Sequence, residues 1–306
     1  MHADQRRLRP GVAVIAHGDH LQLRAGDEEI FVLEADDSAD VGHWLAKLAS
    51  GLTVAQVQAD VRVDATLTWE AVVDQLTVAR LLSDQHVDPD DEIGSYLSHF
   101  YESRRLIDSP LGRVLIHGGS RSAQLLQQAL AEHHIESIVV DSGEFDSDIV
   151  ESPLPTIEAC VWEQADLSWA MKVNARAVTA RCACLFVDLS HGRHATIGPF
   201  YIPGEGACFH CYWQRWRENT AAVEEFDAAA ESMLTSGAPL PAYGLLPAFR
   251  YQVVGLACSE LFAYLTRHRP LRTLNRIVTV DLEGLQTATE PCWRIPWCRT
   301  CGRDAP

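Results

Sequence analysis

Apolar positions in the first 88 residues follow two rhythms. "VAVIA", "HLQLR" and "EIFVLE" are short runs of strand type, separated by the turn-forming "HGD" and "AGDE". From Ser38 the period lengthens to that of a helix. Val41, Trp44, Leu45 and Leu48 recur on one face, Ser38 is placed as the N-cap and Gly51 as the stop. "LTVAQVQADV" and "TLTWEAVVDQLTVARLLSD" predict two more helices. In the second of these, Leu67, Val72, Leu76 and Ala79 or Arg80 fall near one face. Three strands followed by three helices is the order of a small winged-helix domain, which places a first domain at 1–88.

The rhythm then changes to alternation of strand and helix. "QHVDPDDEIGS" breaks the pattern as a linker, and a helix runs through "YLSHFYESRRLI". "GRVLIHGGSRSAQLLQQALAEHHI" reads as a buried strand at Val114–Ile116, a glycine turn and a helix from near Ser122. "IESIVVDSG" and "TIEACVWEQAD" are strands, "LSWAMKVNARAVTARC" a helix, and "CLFVDLSHGRHATIGPFYIPGEG" supplies further strands. "FRYQVVGLACSELFAYLTRH" and "NRIVTVDLEG" add a helix and a strand. This predicts an α/β domain with a largely parallel sheet over 89–306. The stretch 217–247, rich in Ala, Glu and Pro, is expected to be a long, partly ordered crossover.

Charge narrows the function classes. The 306-residue chain has a formal charge of −17, which gains little from phosphate backbones and argues against nucleic acid as a partner. The first 88 residues carry 15 Asp and Glu against 7 Lys and Arg, so the winged-helix order does not imply DNA binding. The acidity suits a basic or apolar partner, or serves solubility. Neither a signal peptide nor an apolar run of about 18–20 residues stands in the sequence, so no membrane partner and a cytoplasmic location are expected. There the nine cysteines would be reduced, and paired thiols read as metal ligands or redox groups.

Two Cys-x-x-Cys pairs are the most specific chemical signal. Cys208/Cys211 lies in "GEGACFHCYWQRWREN" and Cys298/Cys301 in "CWRIPWCRTCGRDAP". Each pair puts two sulfurs on one side of a tight turn, half of a tetrahedral zinc site. Together they make a closed four-thiolate site for one structural zinc that pins the C-terminal segment to the domain. Cys292 and His210 are spare ligand types nearby. The loop "IHGGSRSA" is a degenerate nucleotide signal: Gly118 and Gly119 precede a helix N-terminus that could cradle an anion, yet the full glycine fingerprint is absent. Asp141 stands where a ribose-binding acid would, and Asp166 is a candidate magnesium ligand. Cys160, Cys182, Cys184 and Cys258 read as core, and no thiol nucleophile is evident.

These motifs together resemble a known family. Strand, glycine turn and helix after "YESRRLI", then "VNARAVTARCACLFVDLSHGRHATIGPFYIPGEGACFHC" and a terminal "CRTC", resemble the ubiquitin-activating-type (ThiF/MoeB-like) fold over roughly residues 95–302. "GDHLQLRAGDEEIFVLEADDSADVGHWLAKLASGLTVAQV" is similar to the PqqD-like element that recognises leader peptides of ribosomally made peptide natural products. The combination resembles the partner proteins of azole-forming YcaO cyclodehydratases of the thiazole/oxazole-modified microcin family.

That resemblance implies a non-catalytic subunit. It would bind the leader of a precursor peptide and present it to a YcaO-type subunit that itself uses ATP. Dimerisation is implied, within a hetero-oligomeric synthetase that can include a flavin dehydrogenase. The leader would add as a strand to the edge "EEIFVLEA", where Ile30 and Val32 share one face and Phe31 and Leu33 the other. Val72, Val73, Leu76 and Arg80 of the third helix are the candidate far wall. Glu28, Glu29, Glu34 and Asp74 would favour a basic leader. Activating enzymes of the fold carry a full glycine loop with Arg and Lys for the triphosphate. Here "SGEFDSDIVES" after Asp141 has no Arg, Lys or Asn, which implies a vestigial nucleotide site. The alternative is a ThiF-like adenylyltransferase activating a peptide or protein C-terminus.

Overall fold

A computed structural model of the chain describes residues 4–9, 11–17, 20–25, 29–34, 38–83, 91–100, 111–140, 153–240 and 244–302. The chain forms two compact units, Met1–Ile107 and Asp108–Pro306. Among the described residues no helix is long and apolar enough to cross a membrane.

In the first unit β1 (Arg7–Leu8) precedes an antiparallel meander of β2 (Val12–His17), β3 (His20–Ala25) and β4 (Glu29–Glu34). The pairing places Leu21 opposite Leu33 and Leu23 opposite Phe31. Period two then puts Leu21, Leu23 and Leu33 in the core and leaves Ile30 and Val32 outside, 45% and 55% exposed. Next come α1 (Ser38–Ala49), α2 (Val54–Gln58), a 3-10 turn (Val63–Ala65) and α3 (Thr66–Val78). The short β5 (Leu82–Ser83) returns to pair with β1, and α4 (Glu92–Phe100) follows.

The helical spacing read from Val41, Trp44, Leu45 and Leu48 corresponds to burial of all four. Trp44 meets Trp69 of α3 edge-on at 5.5 Å, and each such buried side chain contributes about 1.5–3 kcal/mol. A capping box starts α2. The Gln56 N–H donates to Thr53 Oγ1 at 3.2 Å, and the Thr53 N–H donates to Gln56 Oε1 at 2.8 Å.

The second unit is built on a seven-stranded mixed sheet. β6 (Arg113–His117), α5 (Arg121–Glu132), β7 (Glu136–Val140), β8 (Thr156–Trp162), α6 (Leu167–Thr179) and β9 (Ala183–Asp188) form its parallel half, in the order β9-β8-β6-β7. β9 is buried at every position and β8 at all but its first, the expected pattern for strands covered on both faces.

The sheet is less parallel than the strand–helix alternation predicts. β10 (His194–Tyr201), β11 (Arg276–Asp281) and β12 (Gln286–Pro291) extend it antiparallel beyond β9. β10 follows β9 through a short turn, too short for the crossover that a parallel partner requires. A second difference concerns the expected irregular crossover at 217–247. That stretch holds the end of α7 (Phe209–Asn219) and the whole of α8 (Val223–Ser236), closed by Gly237 in the left-handed conformation (φ 62°), before α9 (Pro247–Thr266). Only Ala230 and Met233 of α8 are buried, so its sequence shows little apolar stripe.

Candidate functional site

Four thiols meet where α7 begins. Cys208 is its N-cap and Cys211 lies in its first turn, while Cys298 and Cys301 come from the turns after β12. All four are buried, with their sulfurs within 4.8 Å of one another. Sulfur separations are 3.8 Å for Cys208–Cys211, 3.7 Å for Cys208–Cys298 and 3.5 Å for Cys211–Cys301. A tetrahedron with four metal–sulfur bonds of about 2.3 Å has edges of about 3.8 Å, so the cluster fits a tetrahedral metal.

Local backbone explains how the two knuckles form. A side chain at residue 302 would collide with the Cys298 carbonyl, so Gly302 allows its N–H to close the turn onto that oxygen at 2.8 Å. The Asn174 side chain supports the first knuckle from α6. Its Oδ1 accepts from the Phe209 N–H at 2.9 Å, and its Nδ2 faces Cys208 Sγ at 3.8 Å. The Ile295 N–H donates to Cys211 Sγ at 3.4 Å. Hydrogen bonding to Cys211 raises the Cys208 thiol, and hydrogen bonding to Cys208 lowers Cys298, so protons are shared unevenly before any metal displaces them. His210 Nδ1 lies 3.0 Å from Thr300 Oγ1, and Cys292 is buried outside the four-sulfur group.

The glycine loop is tightly packed against protein. Gly118 has φ 138°, and a side chain there would strike the Val161 carbonyl. Ser120 caps α5, its Oγ accepting from the Ala123 N–H at 3.2 Å. At this helix N-terminus, where an anion is favoured, the chain supplies its own carboxylate. Glu163 Oε1 accepts from the Ser122 N–H at 2.8 Å and from Ser122 Oγ at 2.7 Å. Arg250 of α9 grips both carboxylate oxygens, at 2.9 and 3.0 Å. Burial alone would raise this carboxyl, but the hydrogen bonds from Arg250 and Ser122 outweigh it and hold Glu163 below the usual range. Asp166 caps α6, its Oδ1 accepting from the Trp169 N–H at 2.9 Å. Gly119 is exposed beside the loop, and Asp141 lies outside the described residues.

Two charged groupings escape a reading of the sequence. One is the Glu163–Arg250 pair, 87 residues apart in the chain. The other centres on a buried carboxylate: Glu158 on β8 lies 3.1 Å from the buried His117 Nε2 and 3.0 Å from Nη1 of the half-buried Arg176. A glutamate inside an otherwise apolar strand, "TIEACVW", was the available signal, since a buried carboxylate requires partners.

In the first unit a groove of about 840 Å³ runs between β4 and α3. Ile30, Phe31, Val32 and Leu33 line one side, and Asp74, Gln75, Leu76, Val78 and Ala79 the other. Leu76 is thus on the helical wall. Val72 is buried in the core, Val73 is half-buried against it, and Arg80 is exposed in the left-handed conformation (φ 55°) after the helix. β4 pairs with β3 alone among the described strands, so its other edge faces the groove without a strand partner. Glu28 lies outside the described residues.

No family model and no curated protein matches the chain. Solved structures do match in fold. The heterocyclase TruD is 19% identical with a TM-score of 0.70, the match covering 97% of this chain and 43% of that one. A heterocyclase in complex with substrate and cofactor is 17% identical, also at 0.70, over 97% of this chain and 39% of the other. MccB of E. coli is 11% identical with a TM-score of 0.59, covering 98% of each chain. The chain therefore spans about two fifths of the heterocyclases and nearly the full length of MccB. The resemblance read from the cysteine pairs and the glycine loop holds at the level of fold.

Proposed function

We propose that the chain is a leader-peptide-binding, non-catalytic subunit of an ATP-dependent, azoline-forming synthetase. In this reading the first unit is a winged-helix, PqqD-like recognition domain. The second is a ThiF/MoeB-like domain stapled by one structural zinc, which docks a YcaO-type catalytic subunit and dimerises. The observation that carries it is the groove. An unpaired strand edge with exposed Ile30 and Val32 faces a helix across a cleft of about 840 Å³, the geometry that binds an extended peptide as an added strand. Main-chain pairing supplies affinity, the pockets between Leu76, Val78 and Ala79 supply selectivity, and Asp74 favours a basic residue in the leader. Holding the precursor raises its effective concentration at the partner's active site, where Cys, Ser or Thr side chains would be cyclised.

The filled terminus of α5 supports the non-catalytic part. A ThiF-like adenylyltransferase needs cations and free amides around a triphosphate. Here the Ser122 amide and the Arg250 guanidinium are both engaged by Glu163. The test is ATP turnover by the purified chain, alone and with a YcaO partner and precursor. The proposal expects turnover only in the mixture. Steady conversion of ATP to AMP by the chain alone would replace it with the adenylyltransferase reading.

A further inference from the structure

The ends of β8 and β9, together with α6, α7 and α8, line a second, partly open cavity of about 150 Å³. Six aromatic rings line it: Trp162, Phe209, Tyr212, Trp213, Trp216 and Phe226. They are fixed against each other, with Trp213 and Phe226 4.4 Å apart between centroids, Tyr212 and Trp216 stacked at 5.8 Å, and Trp162 edge-on to Phe209 at 5.7 Å. Packing alone does not account for this wall, because close-packed aromatic clusters normally leave no void larger than a water. A mostly apolar cavity of about this volume has room for a benzene-sized guest.

The polar groups at the rim are already satisfied. Asp188 Oδ1 accepts from the Ser190 N–H at 2.8 Å and from Ser190 Oγ at 2.6 Å, and its other oxygen pairs with His191 Nε2 at 3.3 Å. Asp166 caps its helix. The rest of the wall is apolar, with Leu167, Ala170, Ala229, Met233 and Leu240 beside the rings, so the site suits an uncharged guest.

We propose that this cavity is a binding site for one uncharged, ring-sized apolar group. His191, Tyr212 and Trp216 also form part of an adjoining open cleft of about 610 Å³. A ring can therefore arrive free or as a side chain of a peptide lying in the cleft. The site lies within the second unit and does not depend on leader binding in the first.

The experiment is calorimetric titration of the 306-residue chain with toluene, with N-acetyl-phenylalaninamide and with tetramethylammonium. Saturable binding of toluene supports the site. Tighter binding of the amide identifies a peptide side chain as the guest, and equal or weaker binding a free small molecule. Ala229 lines the cavity from α8, so Ala229→Phe should fill it and weaken toluene binding by more than about tenfold. Should that variant fail to fold, Phe226→Ala, which enlarges the cavity, should strengthen naphthalene binding by about tenfold. No saturable toluene binding, binding of tetramethylammonium in its place, or full toluene affinity in folded Ala229→Phe would overturn the proposal.

Discussion

The groove of the first unit and the α5 terminus of the second meet the same requirement in opposite ways. Both present backbone N–H groups beside a helix. At α5 the chain answers from within: Glu163 accepts from Ser122 and is itself gripped by Arg250. At β4 it leaves the edge unpaired and keeps Ile30 and Val32 outside the core. Unmade backbone bonds and exposed apolar side chains cost free energy, so a fold keeps them where a ligand completes them. The difference locates the proposed function: the first unit would receive a peptide, and the second has closed the place where its fold would hold an anion.

The closed side breaks most severely at the thiols. Cys208→Ala or Cys301→Ala should abolish metal binding and unfold the second unit, because closed thiolate sites contribute several kcal/mol or more. Metal analysis should find about one zinc per wild-type chain, and circular dichroism should show the variant's loss of structure. Metal-free protein with unchanged melting would contradict the zinc staple.

The open side should fail next. β-strand N–H groups alternate in direction, so one of Phe31 and Val32 directs its amide outward. Proline at that position removes a donor and distorts the strand, so leader binding should be lost. Fluorescence polarisation with a labelled leader peptide would measure it, with circular dichroism confirming the fold.

Opening the filled terminus is a milder change. Glu163→Gln leaves Arg250 without its carboxylate and should cost about 1–3 kcal/mol. Because Glu163 is depressed in the folded chain, its contribution is fully present above the ordinary glutamate value of 4.5 and is lost as pH falls through the folded value. Acid unfolding of the variant should therefore be shallower than that of the wild type below about pH 4.5. Identical acid limbs would show that the carboxylate is not held as described. The smallest effect belongs to His191. Its hydrogen bond to Asp188 raises it above 6.5, so its contribution is complete below that pH and fades as pH rises through the raised value. Asp188→Asn should bring the imidazole titration, followed by NMR, back toward 6.5.

Much of the fold and of the four-sulfur site is legible in the residues because local periodicity carries it. Period two in "EIFVLE" separates Ile30 and Val32 from Leu33, and the Cys-x-x-Cys spacing announces the sulfur cluster. What stays hidden depends on tertiary partners or lacks contrast. β12, "QTATEP", is exposed at every position, so no alternation marks it as a strand. α8 buries two residues in fourteen and reads as a loop. Asp166 reads as a metal ligand, although Asp-Leu-Ser-Trp before a helical run is also the signature of an N-cap. Nothing near Glu163 in the chain points to Arg250.

The central claim, that a peptide adds to the β4 edge, is tested most directly by hydrogen exchange with and without a precursor leader. Strand addition predicts slowed exchange at the outward amides of Glu29–Glu34, with the amides at the start of α5 unchanged. Saturating leader that leaves Glu29–Glu34 exchanging at its free rate would contradict it.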